Sequence, residues 1–336
     1  MPPSYPYFPA GRFPEPRTPE RMFIGPIFTR EAVTAPRRMR FFLVRTLYAG
    51  ALLLLMCTAW AVLTGTQQVR NLGDMALFGS LLLQILAVVQ LALLTFFAAL
   101  GAAGNVAQEK DKKTLLLLLM TRLSNHEVVL GKLFAGLLPP LVMLLAGLPV
   151  FAFAMLLGGI NFAQIAWVFV VTLATLLFAG SLGCTLAFWR EKTFQTLALT
   201  ALIIVFWVGL GEAMHAGAFG EAPAGIACPA WATAASPLRA VLAAARPTFD
   251  PTRTVSTLAA PLYVLLAAGA ALLVALVGIV RLRVWNPTRE VRVKPSDAEG
   301  SPGSIWSSPA EPAAAEAIRA GHVDARLRGH GSGKVR

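Results

Sequence analysis

The sequence predicts an all-α membrane protein with six transmembrane helices and both termini cytoplasmic. Three observations carry that expectation: an apolar composition, six separate apolar blocks of spanning length, and basic residues that gather on alternate connections. Of the 336 residues, 56% are hydrophobic and only 14% are charged. A soluble domain carries roughly 25% charged residues, so this chain could not clothe its own surface in polar groups. A soluble enzyme is not expected.

A bilayer core about 30 Å thick needs roughly 20 apolar residues in a helix. Six blocks meet that need: Thr46 to Thr64, Met75 to Ala103, Leu133 to Leu157, Phe162 to Phe188, Phe194 to Leu210, and Leu258 to Val280. The fifth is short and extends naturally through Gly211 and Glu212. None shows the strict alternation of a lipid-facing barrel strand, and a lone strand could not satisfy its backbone in lipid. Helices are the remaining solution.

The formal net charge of +12 would suggest nucleic acid as the partner of a soluble chain. Here the cations flank the blocks, so no nucleic-acid partner is expected. Arg30, Arg37, Arg38, Arg40 and Arg45 precede the first block, and Lys110, Lys112, Lys113, Arg122 and Lys132 fill the second connection. Arg190 and Lys192 follow the fourth block, and Arg281, Arg283, Arg289, Arg292 and Lys294 follow the sixth. The opposite side has only Arg70, Arg239, Arg246 and Arg253. By the positive-inside rule the richer side, with both termini, is cytoplasmic.

Residues 1–24 and 283–336 are rich in Pro, Ser, Ala, Gly and Arg and are expected to be disordered cytoplasmic segments. Gly331-Ser332-Gly333-Lys334 superficially resembles a phosphate loop, yet Arg328 stands at the first glycine and Val335 at the Ser/Thr position. No ATP site is expected in the chain. Cys57 and Cys184 lie inside apolar blocks and read as small core residues, while Cys228 stands alone in a polar loop. The scattered histidines offer no zinc spacing. His126-Glu127 lacks the second histidine of H-E-x-x-H, because Leu130 stands there. No catalytic, cofactor-binding or metal residues are assigned.

The most informative stretch joins the second and third blocks. Val106 to Thr114 is charged, Leu115 to Met120 is an apolar run too short to span, and Thr121 to Lys132 is polar again. Glu109 precedes Lys113 by four, the favourable order for an intrahelical ion pair. Ser124-x-x-Glu127 ahead of Val128-Val129-Leu130 is a capping box that starts a new helix. On this reading a helix over 107–127 lies along the membrane face. It is either a solvated linker resting its leucines on lipid or a surface for a protein partner, and Glu127 either caps or docks.

At the other side, Glu212 and His215 share a helix face, as a hydrated helix end or as part of an outer gate. The outer connection, 211–256, contains Ser236-Pro237, an N-cap and first-turn proline for a short helix through Ala245, with Pro247 as its stop. That helix is either a surface feature or packed back toward the membrane. Arg45 is expected to snorkel. Gln84 and Gln90 fall on different faces of the second helix and are expected to bond neighbouring helices.

The stretch from Glu109 to Lys132 resembles the signature region of ABC-2-type permeases, the membrane subunits of ATP-binding-cassette exporters. The shared positions are Glu109, Lys110, Thr114, Leu115, Thr121, Leu123, Ser124, Glu127, Gly131 and Lys132, and the sequence departs at Lys113, Leu116 and Arg122. Gly25 to Glu31 resembles the family's amino-terminal elbow helix, making 25–45 an elbow helix with a basic flank. Leu148-Pro149-Val150 with Leu156 to Ile160, and Trp285-Asn286-Pro287, resemble its helix endings.

The resemblance implies a six-helix permease domain over 46–282. A separate cytoplasmic ATPase subunit, which binds the ATP, would dock on Glu109, Lys110, Lys112, Lys113, Thr114, Thr121, Ser124 and Glu127. Arg30 and Glu31 would lie beside that dock on the elbow. It also implies a second permease copy or homologue as partner, a bacterial inner-membrane location, and an outer connection folded back toward the membrane. The residues themselves leave open an ATP-independent secondary carrier or a membrane scaffold. Ion-coupled carriers, however, place charges or matched broken helices at the midplane, and this chain has almost no charge inside its blocks.

Overall fold

A computed structural model describes residues 39–66, 72–112, 115, 124–190, 192–217, 233–246 and 259–285. All of them belong to the first of two units of the chain, Met1–Thr288; the second, Arg289–Arg336, lies outside the described residues. The main elements are α1 (Met39–Thr66), α2 (Leu72–Asp111), α3 (Asn125–Leu156), α4 (Phe162–Trp189), α5 (Thr193–His215), α6 (Pro237–Ala245) and α7 (Ala259–Trp285). No strand occurs among the described residues. All except α6 are long and apolar enough to cross a membrane.

Each expected block is thus a helix, but the helices overrun the blocks. At the end where the basic residues gather (the basic end), α1, α2, α3 and α7 continue well past the apolar stretch. α2 reaches 40 residues, about 60 Å at 1.5 Å per residue, twice the hydrocarbon thickness. Nothing between Ala103 and Asp111 breaks a helix, since Gly104 alone is tolerated and no proline occurs. The described ends of the expected 107–127 helix therefore belong to α2 and α3, and 113–114 and 116–123 lie outside the described residues.

α4 is the centre of the bundle and packs against α2, α7, α3, α5 and α6. Over half of its most apolar window is buried (56%), against 11% for α1 and for α5, which lie on the periphery. α2 and α3 run antiparallel, with Glu109 beside Lys132, Ala102 against Gly136, Gln90 near Gly147 and Ala76 against Gly159. At the turn between α3 and α4, Gly159 has φ of +73°, a left-handed conformation that suits glycine. The α2–α4 contact depends on Gly183, where a Cβ would collide with the Ala99 carbonyl. Small residues let helix backbones approach this closely where lipid removes any hydrophobic drive for association.

Hydroxyls tie α4 to α7. The Thr175 and Tyr263 hydroxyls lie 2.8 Å apart, and the Thr185 hydroxyl donates to the Val274 carbonyl at 3.1 Å. Thr172 and Thr175 also donate to their own i−4 carbonyls, which satisfies these two hydroxyls inside the bundle.

Two expectations for apolar-block residues need correction. Cys184 is buried, but Cys57 is exposed on α1, because among its described side chains α1 turns only Tyr48 and Leu52 fully inward. Gln90 is buried with neither amide atom hydrogen-bonded, and the Tyr48 hydroxyl is likewise unpartnered. Gln90 is therefore not a bridge to a neighbouring helix in this arrangement.

Candidate functional site

The last turn of α2 ends in Glu109-Lys110-Asp111, and each of the three binds a different helix. Successive residues on an α-helix point about 100° apart, so three in a row fan across three neighbours. The Glu109 carboxylate accepts from the Lys132 ammonium of α3. Lys110 donates to the Phe188 carbonyl at 2.6 Å and the Arg190 carbonyl at 2.9 Å, at the end of α4. Asp111 accepts from the Thr193 hydroxyl in the first turn of α5.

The electrostatics of the last two contacts are favourable at each helix end. The carbonyls closing α4 lack intrahelical donors and carry partial negative charge, which the Lys110 cation satisfies. The start of α5 carries partial positive charge, which suits Asp111. The Glu109–Lys132 pair is the costly member. Lys132 is only 4% exposed and Glu109 29%, so the ammonium has surrendered most of its hydration and depends on a counter-charge. Lys132 sits just outside its apolar block, on the overrunning first turns of α3.

α3 begins as the Ser-x-x-Glu spacing predicts. Ser124 is its N-cap, and the Glu127 carboxylate accepts from the Ser124 amide at 2.9 Å and from its hydroxyl at 2.6 Å. Glu127 is accordingly engaged in capping. Asn125 donates to the Ile279 carbonyl at 3.3 Å and accepts from Arg283 Nε at 2.9 Å, which fastens the start of α3 to the end of α7. The two helix ends that flank the connection 112–124 thereby hold α4, α5 and α7 as well as each other.

Glu109 binds across helices to the buried Lys132, which needs a carboxylate; Lys113, its expected intrahelical partner, lies outside the described residues. Lys112 is exposed. Leu115 is buried in the core rather than resting on lipid. Lys113, Thr114, Thr121, Arg30 and Glu31 lie outside the described residues. The hub is not legible in the sequence, where the charged run reads as part of a separate helix along the membrane face. The signal for it was the unbroken helical run into Asp111.

At the opposite end the structure separates the two gate candidates. Glu212 forms a bidentate ion pair with Arg239 of α6, with Arg239 Nε at 3.0 Å from both carboxylate oxygens. His215 is half-buried, and its Nδ1 has no hydrogen-bond partner. α6 has the bounds predicted for it, with Ser236 as N-cap and proline in its first turn. Its Pro237, Ala240, Val241 and Ala245 are buried, and it packs against α4, α2 and α7, so it is not a surface helix. Gln164 at the start of α4 donates to the Arg246 carbonyl at 2.5 Å, and Trp207 Nε1 donates to the Ala235 carbonyl at 3.1 Å. These contacts hold α6 to α4 and α5.

Among the described residues no three His, Cys, Asp or Glu side chains are placed to hold a metal ion. Fold and site together define an all-helical chain with six membrane-length helices, joined by a polar hub at the basic end. No protein-family model matches the chain, and no curated protein matches it.

Proposed function

We propose that this chain is the permease subunit of an ABC exporter, driven by a separate ATPase subunit that docks on the connection between α2 and α3. One observation carries the proposal: the helix ends on either side of that connection grip α4, α5 and α7. A push on residues 112–124 would reach most of the bundle through the contacts of Glu109, Lys110, Asp111 and Asn125. A second support is the distribution of charge. The charged residues of the six long helices lie within about two turns of the helix ends, so the interior offers few groups for ion coupling. ATP would be bound and hydrolysed by the partner, with no cofactor held by this chain.

Within this proposal the roles divide. Lys112, Lys113, Thr114, Thr121 and Ser124 face the ATPase, with Arg30 and Glu31 of the elbow beside them. Glu109, Lys110 and Glu127 transmit and brace. The basic end, with both termini, is cytoplasmic, and the membrane is the bacterial inner membrane. A second permease copy or homologue completes the pathway, and the apolar faces of α1 and α5, which the bundle leaves uncovered, provide the area for it. Glu212 and Arg239 clamp the outer end.

The test is to reverse the docking charges while sparing the hub. Lys112→Glu with Lys113→Glu is expected to lower the amount of ATPase that co-purifies with the full chain at least tenfold. The thermal unfolding of the chain should be unchanged, since Lys112 is exposed. Lys110 stays, because its ammonium closes α4 and its loss would disturb the fold whatever binds below. A complex that survives the double reversal at full yield contradicts the docking assignment.

A further inference from the structure

Between α1 and α3 at the basic end lies a cavity of about 120 Å³. Phe41, Val44, Leu138, Pro139, Val142 and Met143 form its apolar walls, and Arg45 is its charged member. It lies beside the mostly exposed first turns of α1, ahead of Tyr48 and Leu52, which α1 turns into the bundle. Its size approaches that of apolar cavities of roughly 150 Å³ that accept a benzene-sized molecule. Among the described residues no carboxylate pairs with Arg45, whose guanidinium lies 5.7 Å from the Phe42 ring centroid.

The depth of the cavity fits a lipid. Arg45 lies 21 residues before the end of α1 at Thr66, about 32 Å at 1.5 Å per residue. Leu138 lies 18 residues before the end of α3 at Leu156, about 27 Å. Both match a hydrocarbon layer of roughly 30 Å, so with the far helix ends at one interface the cavity opens at the other, where headgroups begin. An arginine that merely snorkels needs no cavity beneath it.

We propose that this groove binds one anionic phospholipid, with a chain segment between α1 and α3 and the phosphate on Arg45. Charge complementarity selects the occupant. A single guanidinium, with no lining carboxylate, leaves a net positive charge that a zwitterionic headgroup satisfies only partly and an anionic one satisfies fully. The sequence just upstream adds Arg37, Arg38 and Arg40, which favour an anionic leaflet surface. The site is independent of the transport proposal, because it requires no ATPase and no second copy.

The experiment uses the full chain in non-ionic detergent with equimolar phosphatidylglycerol and phosphatidylcholine of identical chains, the bound lipid being counted by native mass spectrometry. One phosphatidylglycerol per chain is expected, at least tenfold over phosphatidylcholine. Arg45→Gln, at an exposed position that costs no packing, should bring the ratio near one. Val142→Trp should fill the groove and lower retention of both lipids. Arg281→Gln, a basic residue near the end of α7, should leave the ratio unchanged. The proposal is overturned by a ratio near one in the unaltered chain, by a preference that survives Arg45→Gln, or by lipid retention that Val142→Trp leaves unchanged. It is equally overturned if Arg281→Gln lowers the preference as much as Arg45→Gln does, or if excess inorganic phosphate displaces the lipid.

Discussion

Replacing Glu109 by leucine is expected to lower the apparent Tm of the full chain in detergent by roughly 6–20 °C. That corresponds to the loss of about 3–5 kcal/mol seen when one partner of a buried ion pair is removed, at 2–4 °C per kcal/mol for a chain of this order of size. The cause is the stranded partner. Lys132 is 4% exposed and cannot rehydrate, whereas Glu109 is 29% exposed and can. Lys132→Met should therefore cost clearly less than Glu109→Leu. The double variant should recover most of the loss, since a buried pair replaced by apolar groups of similar volume is near neutral. Tryptophan fluorescence on heating reads all three. Equal small shifts in every variant would mean that the pair contributes nothing to joining α2 and α3.

The second large effect is steric. A Cβ at Gly183 would collide with the carbonyl oxygen of Ala99, a backbone atom that cannot swing aside. Gly183→Ala should cost about 1–3 kcal/mol as an overpacked contact, and Gly183→Leu more, because α2 and α4 must separate. Gly269 of α7 has open space around its Cβ position, so Gly269→Ala should leave stability unchanged or slightly raised through helix propensity. The same unfolding measurement compares the three. A Gly183→Leu chain as stable as the unaltered one would show that α2 and α4 do not pack through this crossing.

Most of the helix count was legible before any coordinates, because a spanning helix announces itself through length and apolarity alone. The Ser124 cap and the bounds of α6 were legible for a different reason: caps and first-turn prolines act within a few residues. Pair partners were not legible. For Glu109, local helix rules point to Lys113 four residues on, which lies outside the described residues, and say nothing of Lys132 twenty-three on, which it binds across helices. Choosing Lys132 requires knowing that α2 and α3 return antiparallel in a register that lays 109 beside 132, and that Lys132 is buried there. Glu212 behaved in the same way. His215 was its neighbour along the helix, while its ion-pair partner, Arg239, arrives on α6 from across the outer connection. Cys57 shows the complementary limit, because an apolar helix reads alike whether a face meets protein or lipid.

The engagement of Lys110 and Glu109 within the chain also reshapes the docking claim. Charges that had been placed on show are engaged inside the chain, leaving Lys112 as the described basic side chain free to face a partner from the start of the connection. The proposed coupling would need one soft surface contact and one stiff internal joint, and the exposed Lys112 and the fan of Glu109, Lys110 and Asp111 are the candidates for those two parts.

The most direct measurement places a photo-crosslinking amino acid at position 112 of the full chain in its native membranes and identifies every adduct by mass. One dominant protein adduct is expected, with a separate subunit carrying nucleotide-binding motifs. Adducts confined to lipid or to the chain itself, in membranes where transport is active, would contradict it.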